Sequence, residues 1–276
     1  MKITSLQNPR VKELVRLRQG RKRRQTGEFL IDGQREVHRA MLCHFPVRQI
    51  FYVPELVCEE AARWLEDLQQ NPTSDVTFFE VTPQVFEKIA YGEREDGVLA
   101  VADYTETTLD ALWAKVTEKT AATQTVPLVG VIEGVEKPGN IGAILRSADG
   151  SGLSALIVAE PQTDLFNPNT IRASLGTIFS VPVCTASSED VVAFLKSHGI
   201  EIYAAIVEGS IPYTEADFTK PAAIVLGSEA WGLTSAFRTE GIHPIALPML
   251  GIADSLNVST TAAILFYEAL RQRTSR

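Results

Sequence analysis

The sequence lacks several features that would place the protein in common functional classes. Its three cysteines, Cys43, Cys58 and Cys184, form no zinc-type pair, and so sparse a set is typical of a reducing compartment. The four histidines are equally scattered, so we expect no metal site. No uninterrupted apolar run reaches the roughly 18 residues of a membrane span, and the N-terminus has no long apolar signal segment. These absences favour a cytoplasmic protein.

Basic charge is also scarce over most of the chain. The net charge of −8 argues against a nucleic-acid partner, but residues 1–40 hold 11 Lys and Arg against four Asp and Glu, a net charge of +7. The remaining residues therefore carry −15. A solvated loop is the ordinary explanation of the cationic run Arg21, Lys22, Arg23 and Arg24. On so acidic a chain we favour a phosphate-binding arm that contacts RNA.

The pattern of apolar residues divides the chain into three parts. Residues 1–105 alternate short strands and helices, beginning with a helix at Asn8-Pro9, and so predict a small α/β domain. Residues 106–126 predict a short helix near Ala111 followed by a linker. From residue 127 to 276, buried strands separated by helices predict a second α/β domain with a mainly parallel sheet.

Parallel sheets bind ligands at the carboxyl ends of their strands, and three glycine-bearing stretches of the second domain are predicted there. The first, residues 133–148, spaces its glycines as G-x-x-x-x-G-x-x-G, which is neither a dinucleotide fingerprint nor a Walker loop. Its helix would offer free N–H groups to an anion, and Arg146 is a candidate to hold a phosphate. An ordinary tight turn with a surface arginine is the alternative.

The other two stretches follow later strands. In residues 224–233 a buried strand runs into Gly227, which would let a ligand approach the backbone, and Glu229 needs a partner if it is buried. The third stretch, residues 247–259, begins with an apolar loop over residues 247–251 that suits an adenine or a partner subunit. There we expect Ser255 to cap the last helix, whereas Asn257 is harder to explain structurally.

Together the three stretches resemble the motifs of the SpoU/TrmH family of RNA ribose 2′-O-methyltransferases, part of the SPOUT superfamily. Residues 140–146 resemble the first motif, residues 226–229 with 232–233 the second, and residues 255–259 with 262–263 the third. The likeness covers about residues 127–272, and residues 1 to about 100 resemble the family's substrate-binding domain. One departure is Ala230-Trp231, since the family more often has glycine after the glutamate.

The resemblance implies a fold, a cofactor and a set of roles. The second domain would carry a deep trefoil knot, and the protein would be a homodimer that uses S-adenosylmethionine to methylate a ribose 2′-hydroxyl of structured RNA, ribosomal RNA before transfer RNA. The cofactor would lie against the backbone around Gly227, Leu247 and Leu256. The catalytic positions would be Arg146, Asn140, Glu229, Ser255 and Asn257.

The family's proposed proton acceptor is the arginine of the first motif, which is physically awkward. An arginine has a pKa above ~12 and is effectively always charged. We therefore hypothesise that Arg146 grips a phosphate and polarises the hydroxyl, while a phosphate oxygen or water takes the proton. Arg172 is a second candidate for phosphate contact, the alternative being a surface helix arginine.

Two other functions compete with this interpretation. A different nucleotide-using α/β enzyme would carry a dinucleotide or P-loop signature, which is missing. A non-catalytic RNA-binding or ribosome-assembly factor of the same fold would have lost some of Arg146, Glu229, Ser255 and Asn257, and all four are present. The target nucleotide and its base stay open.

Overall fold

A computed structural model describes residues 1–71, 75–92 and 96–274. Contacts divide the chain into two compact units, each made of two segments. Unit 1 comprises Met1–Thr105 and Asp164–Ser180, and unit 2 comprises Glu106–Thr163 and Val181–Arg276. Across the described residues, no helix is long and apolar enough to cross a membrane.

Unit 1 is a five-stranded sheet covered by short helices. Its strands are β1 (Lys2–Ile3), β2 (Glu28–Asp32), β3 (Val47–Tyr52), β4 (Thr77–Val81) and β5 (Val98–Asp103). The helices of its first segment are α1 (Pro9–Arg16), α2 (Gly20–Thr26), α3 (Gln34–Leu42), α4 (Glu59–Gln70) and α5 (Pro83–Ile89). The strand order is β1-β4-β3-β5-β2, with β4 parallel to both β1 and β3, and β5 antiparallel to both β3 and β2.

Local signals set the first helix of unit 1. The Oδ1 atom of Asn8 accepts a hydrogen bond from the backbone nitrogen of Arg10 at 2.9 Å, and Pro9 occupies the first helical position, which confirms the predicted start. Residues 21–24 do not form the solvated loop that was the ordinary explanation of the cationic run, because α2 covers them and ends at Gly27 in the left-handed conformation.

The second segment of unit 1 was not expected from the sequence. Residues 164–180 contain α8 (Pro168–Ser174) and a 3₁₀ turn, Thr177–Phe179. The ring of Phe166 stacks on Phe29 with centroids 4.2 Å apart, and Phe179 meets Phe45 edge-on at 4.9 Å. These aromatic contacts bind the segment to the first 105 residues, although it lies between strands of the other unit in sequence.

Unit 2 contains the parallel sheet. Its strands are β6 (Leu128–Glu133), β7 (Ala155–Ala159), β8 (Val183–Ala186), β9 (Glu201–Ala205), β10 (Ile211–Pro212), β11 (Ala222–Leu226) and β12 (Ile242–Ala246). Its helices are α6 (Leu109–Thr123), α7 (Pro138–Gly150), α9 (Ser188–Ser197) and α10 (Val258–Thr274). All the pairings are parallel, in the order β10-β12-β9-β11-β6-β7-β8, which confirms the predicted parallel sheet.

The central strands explain why helices cover both faces of this sheet. Every residue of β6, β7 and β11 is buried, as expected for a parallel strand with no solvent-exposed face. Gly130 in the middle of β6 leaves room for α10, because a Cβ atom there would press against Leu153, Leu156 and Phe266. Helix α10 packs against both α7 and β11.

The segment predicted as a linker is mostly helix. Helix α6 spans 15 residues and buries Leu112, Val116 and Thr120, which recur every four residues along one face. The Oγ1 atom of Thr120 donates to the carbonyl of Val116 at 2.9 Å, so this polar residue is satisfied within the helix. The Ala- and Thr-rich composition hid this stripe, which joins the core of unit 2.

One arginine fixes the C-terminal end of α10. The guanidinium of Arg273 donates hydrogen bonds to the carbonyls of Phe218, Val126, Pro127 and Lys220 at 2.7–3.1 Å. Burial lowers the pKa of Arg273 to about 10, so the group stays charged at neutral pH. Helix α10 is therefore tied to the residues that precede β6 and β11.

Candidate active site

A cavity of about 310 Å³ opens in unit 2 at the carboxyl ends of β9, β11 and β12. This is the edge where parallel sheets bind ligands. Most of its walls are apolar, with a few charged groups. The lining residues are Ala205, Ile206, Val207, Glu208, Leu226, Gly227, Ser228, Glu229, Gly232, Leu233, Arg238, Ile245, Ala246, Leu247, Met249, Asp254, Ser255, Leu256, Val258 and Thr261.

The residues expected to hold a cofactor meet in this cavity. Gly227 follows β11, Leu247 follows β12, and Leu256 precedes α10, and all three line its walls. Glu229 and Ser255 line it as well. The structure therefore brings the second and third glycine-bearing stretches together around one space.

Gly227 has a different neighbour from the one expected. A Cβ atom at this position would collide with the backbone of Gly232 and Leu233, so the chain itself fills that side of the glycine. The turn between them is held by hydrogen bonds from the backbone nitrogens of Gly232 and Trp231 to the carbonyl and hydroxyl of Ser228, at 3.0 and 3.2 Å. Gly227 permits a tight, pre-formed wall of the cavity.

Three catalytic candidates form one hydrogen-bonded chain. The Nδ2 atom of Asn140 donates to the carboxylate of Glu229. The Nδ2 atom of Asn257 donates to Oδ1 of Asn140 at 3.4 Å. Each residue comes from a different glycine-bearing stretch. These bonds orient both amides and bring the three stretches to a single point beside the cavity.

The cap of α10 is Asn257, so the prediction that Ser255 caps this helix is wrong. The Oδ1 atom of Asn257 accepts from the backbone nitrogen of Ser259 at 2.9 Å and from its hydroxyl at 2.6 Å. Since α10 begins at Val258, Asn257 has the position from which a side chain can reach the first free N–H groups. Asn257 thus fixes the helix end and faces Asn140 at once.

Arg146 is not part of the hydrogen-bonded chain Glu229–Asn140–Asn257. It lies in the second half of α7 with its side chain exposed. Within the described part of the protein, the guanidinium makes no hydrogen bond or ion pair. A free, exposed guanidinium can bind a phosphate in a bidentate manner.

A carboxylate that the sequence did not reveal as important supports the cavity from below. Glu133, the last residue of β6, is 2% exposed. Its carboxylate accepts hydrogen bonds from the backbone nitrogen and the hydroxyl of Thr234, both at 2.7 Å, and from the hydroxyl of Ser188. Thr234 directly follows the cavity residue Leu233, so Glu133 fixes the far end of that wall. The sequence did contain a signal for this role, namely a charged residue at the end of an apolar strand.

The expected RNA-binding arginines of unit 1 have two different environments. Arg23 is 2% exposed and binds Asp164 at 2.7 Å, while Nη1 donates to the carbonyls of Leu17 and Arg18, both at 2.9 Å. The prediction that Arg23 contacts phosphate is therefore wrong, because its guanidinium is buried and bound to groups of its own unit.

The other cations of that run are accessible. Arg21 and Arg24 are exposed on α2, and Lys22 lines a cleft of about 300 Å³ together with Arg10 and Arg16. Arg172 is exposed on α8, which belongs to the same unit. Among the described residues, no group of three or more His, Cys, Asp or Glu could hold a metal ion.

Two family profiles match the chain and together span most of it. Residues 127–267 match the SpoU rRNA Methylase family, and residues 8–100 match the MRM3-like substrate binding domain. The first match contains all three glycine-bearing stretches. The second lies within the first segment of unit 1.

Individual relatives are similar over almost their whole length. The 23S rRNA (guanosine(2553)-2′-O)-methyltransferase RlmP of Bacillus subtilis is 28% identical over 96% of this chain and 97% of its own. The 23S rRNA (uridine(2479)-2′-O)-methyltransferase of Streptomyces viridochromogenes is 32% identical over 92% and 86%. The crystal structure of the SpoU methyltransferase AviRb from that organism, in complex with AdoMet, has a TM-score of 0.83 at 29% identity, covering 98% of this chain and 99% of its own.

Proposed function

Because the chain belongs to the SpoU rRNA Methylase family, we propose that it transfers a methyl group from S-adenosylmethionine to a ribose 2′-hydroxyl of ribosomal RNA. The observation that carries this proposal is the hydrogen-bonded chain Glu229–Asn140–Asn257 beside the cavity. It unites all three motifs at the place where the fold binds ligands. The two relatives described above act, by their names, on 23S rRNA, which favours ribosomal over transfer RNA.

The cavity fits the cofactor in size and chemistry. Its volume lies at the lower end of the range for small-molecule sites, and its apolar walls suit an adenine ring and the methylene groups of the methionine chain. Backbone around Gly227, Leu247 and Leu256 would hold the cofactor, with Glu208 and Asp254 as nearby acceptors for its polar groups. When bound, S-adenosylmethionine supplies an electrophilic methyl group on its sulfonium.

The residues of this chain position the hydroxyl and the phosphates beside it. Asn140 and Asn257 present oriented amides, and Glu229 holds the amide of Asn140 in place. Arg146 grips a phosphate and polarises the hydroxyl, whose proton passes to a phosphate oxygen or water. Ser255 lines the cavity from the third motif as a further contact. Holding the reacting groups in near-attack geometry lowers the entropic part of the barrier.

Residues 1–105 form the RNA-binding domain in this proposal, and residues 127–276 form the catalytic domain after the connecting segment 106–126. The match to a substrate-binding domain over residues 8–100 supports this division. Arg21, Lys22, Arg24 and Arg172 contact the phosphate backbone, since their side chains are wholly or partly exposed. Cations on one unit give binding that weakens as salt concentration rises.

The proposal includes a trefoil knot in unit 2. Strand β12 lies beyond β9, two strands away from β11, yet the next helix, α10, packs against β11 and α7. The chain must therefore return across the edge of the sheet that holds the cavity. This path supports threading of the C-terminal segment through the preceding loops.

We also include a homodimer and a cytoplasmic location. Helices α7 and α10 pack side by side, and α10 exposes Tyr267, an aromatic side chain of the kind found at subunit interfaces. Sedimentation equilibrium tests the dimer. The relatives are named for rRNA substrates, and this supports a cytoplasmic location, where ribosomes are assembled.

Methyl transfer to a 23S rRNA transcript made without modifications tests the function. We expect tritium from labelled S-adenosylmethionine to enter the RNA. The rate of methyl transfer should fall at least about 100-fold in Asn140→Ala, because this variant loses the hydrogen bonds that link the three motifs. Calorimetry should show that this variant still binds the cofactor. Absence of label from the wild-type protein, with both ligands bound, would favour the non-catalytic RNA-binding factor instead.

A further inference from the structure

Exposed apolar side chains gather at the rim of the cavity. Among the described residues, five large apolar side chains are more than two-thirds exposed, and four of them lie in loops that border the cavity: Val207, Trp231, Leu250 and Ile252. Trp231 is the one aromatic residue of the four and is 86% exposed. Leaving so large a side chain in water forgoes the free energy that burial would give, which marks a contact surface.

The turn that carries Trp231 is fixed. The backbone nitrogen of Trp231 donates to Oγ of Ser228, and the nitrogen of Gly232 donates to its carbonyl. Gly232 also fills the space beside Gly227, so the turn has no room to collapse into the cavity. The backbone that carries the indole is therefore fixed in advance of any binding, which reduces the entropy lost when a partner stacks on the ring.

The position of the indole relates it to the RNA substrate rather than to the cofactor. Trp231 follows Glu229, the end of the chain Glu229–Asn140–Asn257, by two residues. Its neighbours Glu229 and Gly232 line the cavity, whereas Trp231 does not. Both faces of the ring remain available to a group that arrives from outside the cavity. Among the described residues, no other aromatic ring contacts the indole.

We propose that Trp231 stacks on an unpaired nucleobase at or next to the methylated nucleotide. This inference rests on the proposed function and adds a specificity-determining contact to it. The residues before Trp231 in the turn, Ser228, Glu229 and Ala230, are polar or small, so the turn offers one planar ring. A single aromatic ring matches one base, and the three aliphatic side chains at the rim, Val207, Leu250 and Ile252, offer no second ring. Stacking also explains the choice of Trp, whose ring surface is the largest of the side chains.

The test compares Trp231→Ala and Trp231→Phe in methyl transfer to unmodified 23S rRNA. We expect kcat/KM for the RNA to fall about 10- to 100-fold in Trp231→Ala and to stay within about threefold in Trp231→Phe, because phenylalanine still stacks. The dissociation constant for S-adenosylmethionine should not change in either variant. Equal losses in the two variants, or none, would overturn the proposal.

A binding experiment separates this inference from the proposed function, because it needs no turnover. Titration with the same RNA should quench the tryptophan fluorescence of the wild-type protein, and the quenching should be lost in Trp231→Phe, which keeps Trp64 and Trp113. Quenching without methyl transfer would refute the proposed function and support the base contact. Methyl transfer without quenching would support the proposed function and refute the base contact.

Leu250→Ala serves as the matched control. Leu250 is still more exposed than Trp231 but has no ring to stack. We expect RNA to quench the tryptophan fluorescence of this variant to the same extent as that of the wild type. If Trp231→Ala and Leu250→Ala both weaken self-association in sedimentation experiments and leave RNA binding intact, a second copy of the chain covers the rim and the base contact is refuted.

Discussion

Thr234 donates two hydrogen bonds to the carboxylate of Glu133, one from its backbone nitrogen and one from its hydroxyl. Glu133 ends the first strand of the parallel sheet, and Thr234 ends the turn that forms one wall of the cavity. A buried carboxylate at the base of the site thus holds the wall that begins at Gly227. This relationship makes Glu133 a positioning residue for the cofactor cavity.

Replacing Glu133 with Gln should loosen that wall. A neutral amide makes weaker hydrogen bonds than a carboxylate, so the charge-assisted bonds with Thr234 and Ser188 are weakened, at a cost of about 1–2 kcal/mol. We expect a lower midpoint of urea unfolding and a higher dissociation constant for S-adenosylmethionine. Ser188→Ala removes one hydrogen bond from the same carboxylate and should have a smaller effect on both. Wild-type affinity in Glu133→Gln would show that the wall needs no such support.

Gly227 should tolerate no side chain. In Gly227→Ala the new Cβ atom would collide with the backbone of Gly232, which has to move away from its place in the turn. We expect cofactor binding, measured by calorimetry, to fall at least about 100-fold. Gly251→Ala is the control, because a Cβ atom there meets open space. An unchanged affinity in Gly227→Ala would mean that the turn is not part of the binding site.

The features that could be predicted from the sequence have local causes. The buried strands of the sheet are apolar runs, and the helix at Asn8-Pro9 has its cap and its proline in adjacent positions. The catalytic candidates followed from the order of three short stretches. What could not be predicted depends on distant partners. Arg23 is buried because Asp164, 141 residues later, receives it.

Two further features, residues 164–180 and Glu133, were missed for the same reason, whereas the error at Ser255 is local. Residues 164–180 join unit 1 through ring contacts with Phe29 and Phe45, which no local pattern encodes. The sequence offers Ser255 as a cap in an ordinary position, but the helix starts at Val258, and Asn257 takes the role. Glu133 was overlooked because its partners come from later parts of the chain, Ser188 from the start of α9 and Thr234 from the turn after β11.

The basic run of unit 1 should separate into binding and structural residues. Replacing Arg21, Lys22 and Arg24 together with Ala should weaken RNA binding and lower the slope of log K against log salt by about 2, since each lost phosphate contact contributes about 0.7–0.9. Filter binding at several salt concentrations measures this slope.

Arg23→Ala makes the matching comparison. It leaves Asp164 unpaired and buried, and we expect a loss of about 3–5 kcal/mol in unfolding free energy. In the fraction that stays folded, the salt slope should equal that of the wild type. A lower slope would return Arg23 to the phosphate-binding set.

Arg273 should matter more for stability than its neighbour on the same helix. Arg273→Ala leaves four carbonyls without their donor, and we expect the free energy of unfolding to fall by about 3 kcal/mol. Arg271→Ala removes a largely exposed guanidinium that pairs with Glu268 and should cost about 1 kcal/mol or less. Similar losses in the two variants would show that α10 is not held by Arg273.

Arg146→Lys tests how the phosphate is held. A lysine keeps the charge but not the planar fork, so we expect kcat to fall at least about tenfold while cofactor affinity stays the same. Steady-state methyl transfer with the 23S rRNA transcript gives both values. Near-full activity would remove the case for a specific guanidinium contact and reduce Arg146 to a point charge.

The most direct test of the account is where the transferred methyl group resides. After transfer from tritiated S-adenosylmethionine, the RNA is hydrolysed with alkali, which cannot cut the linkage that follows a 2′-O-methylated ribose. We predict label in alkali-resistant dinucleotides from one position of 23S rRNA, and its loss with the Arg146→Ala variant. Label in mononucleotides would place the methyl group on a base and contradict the account.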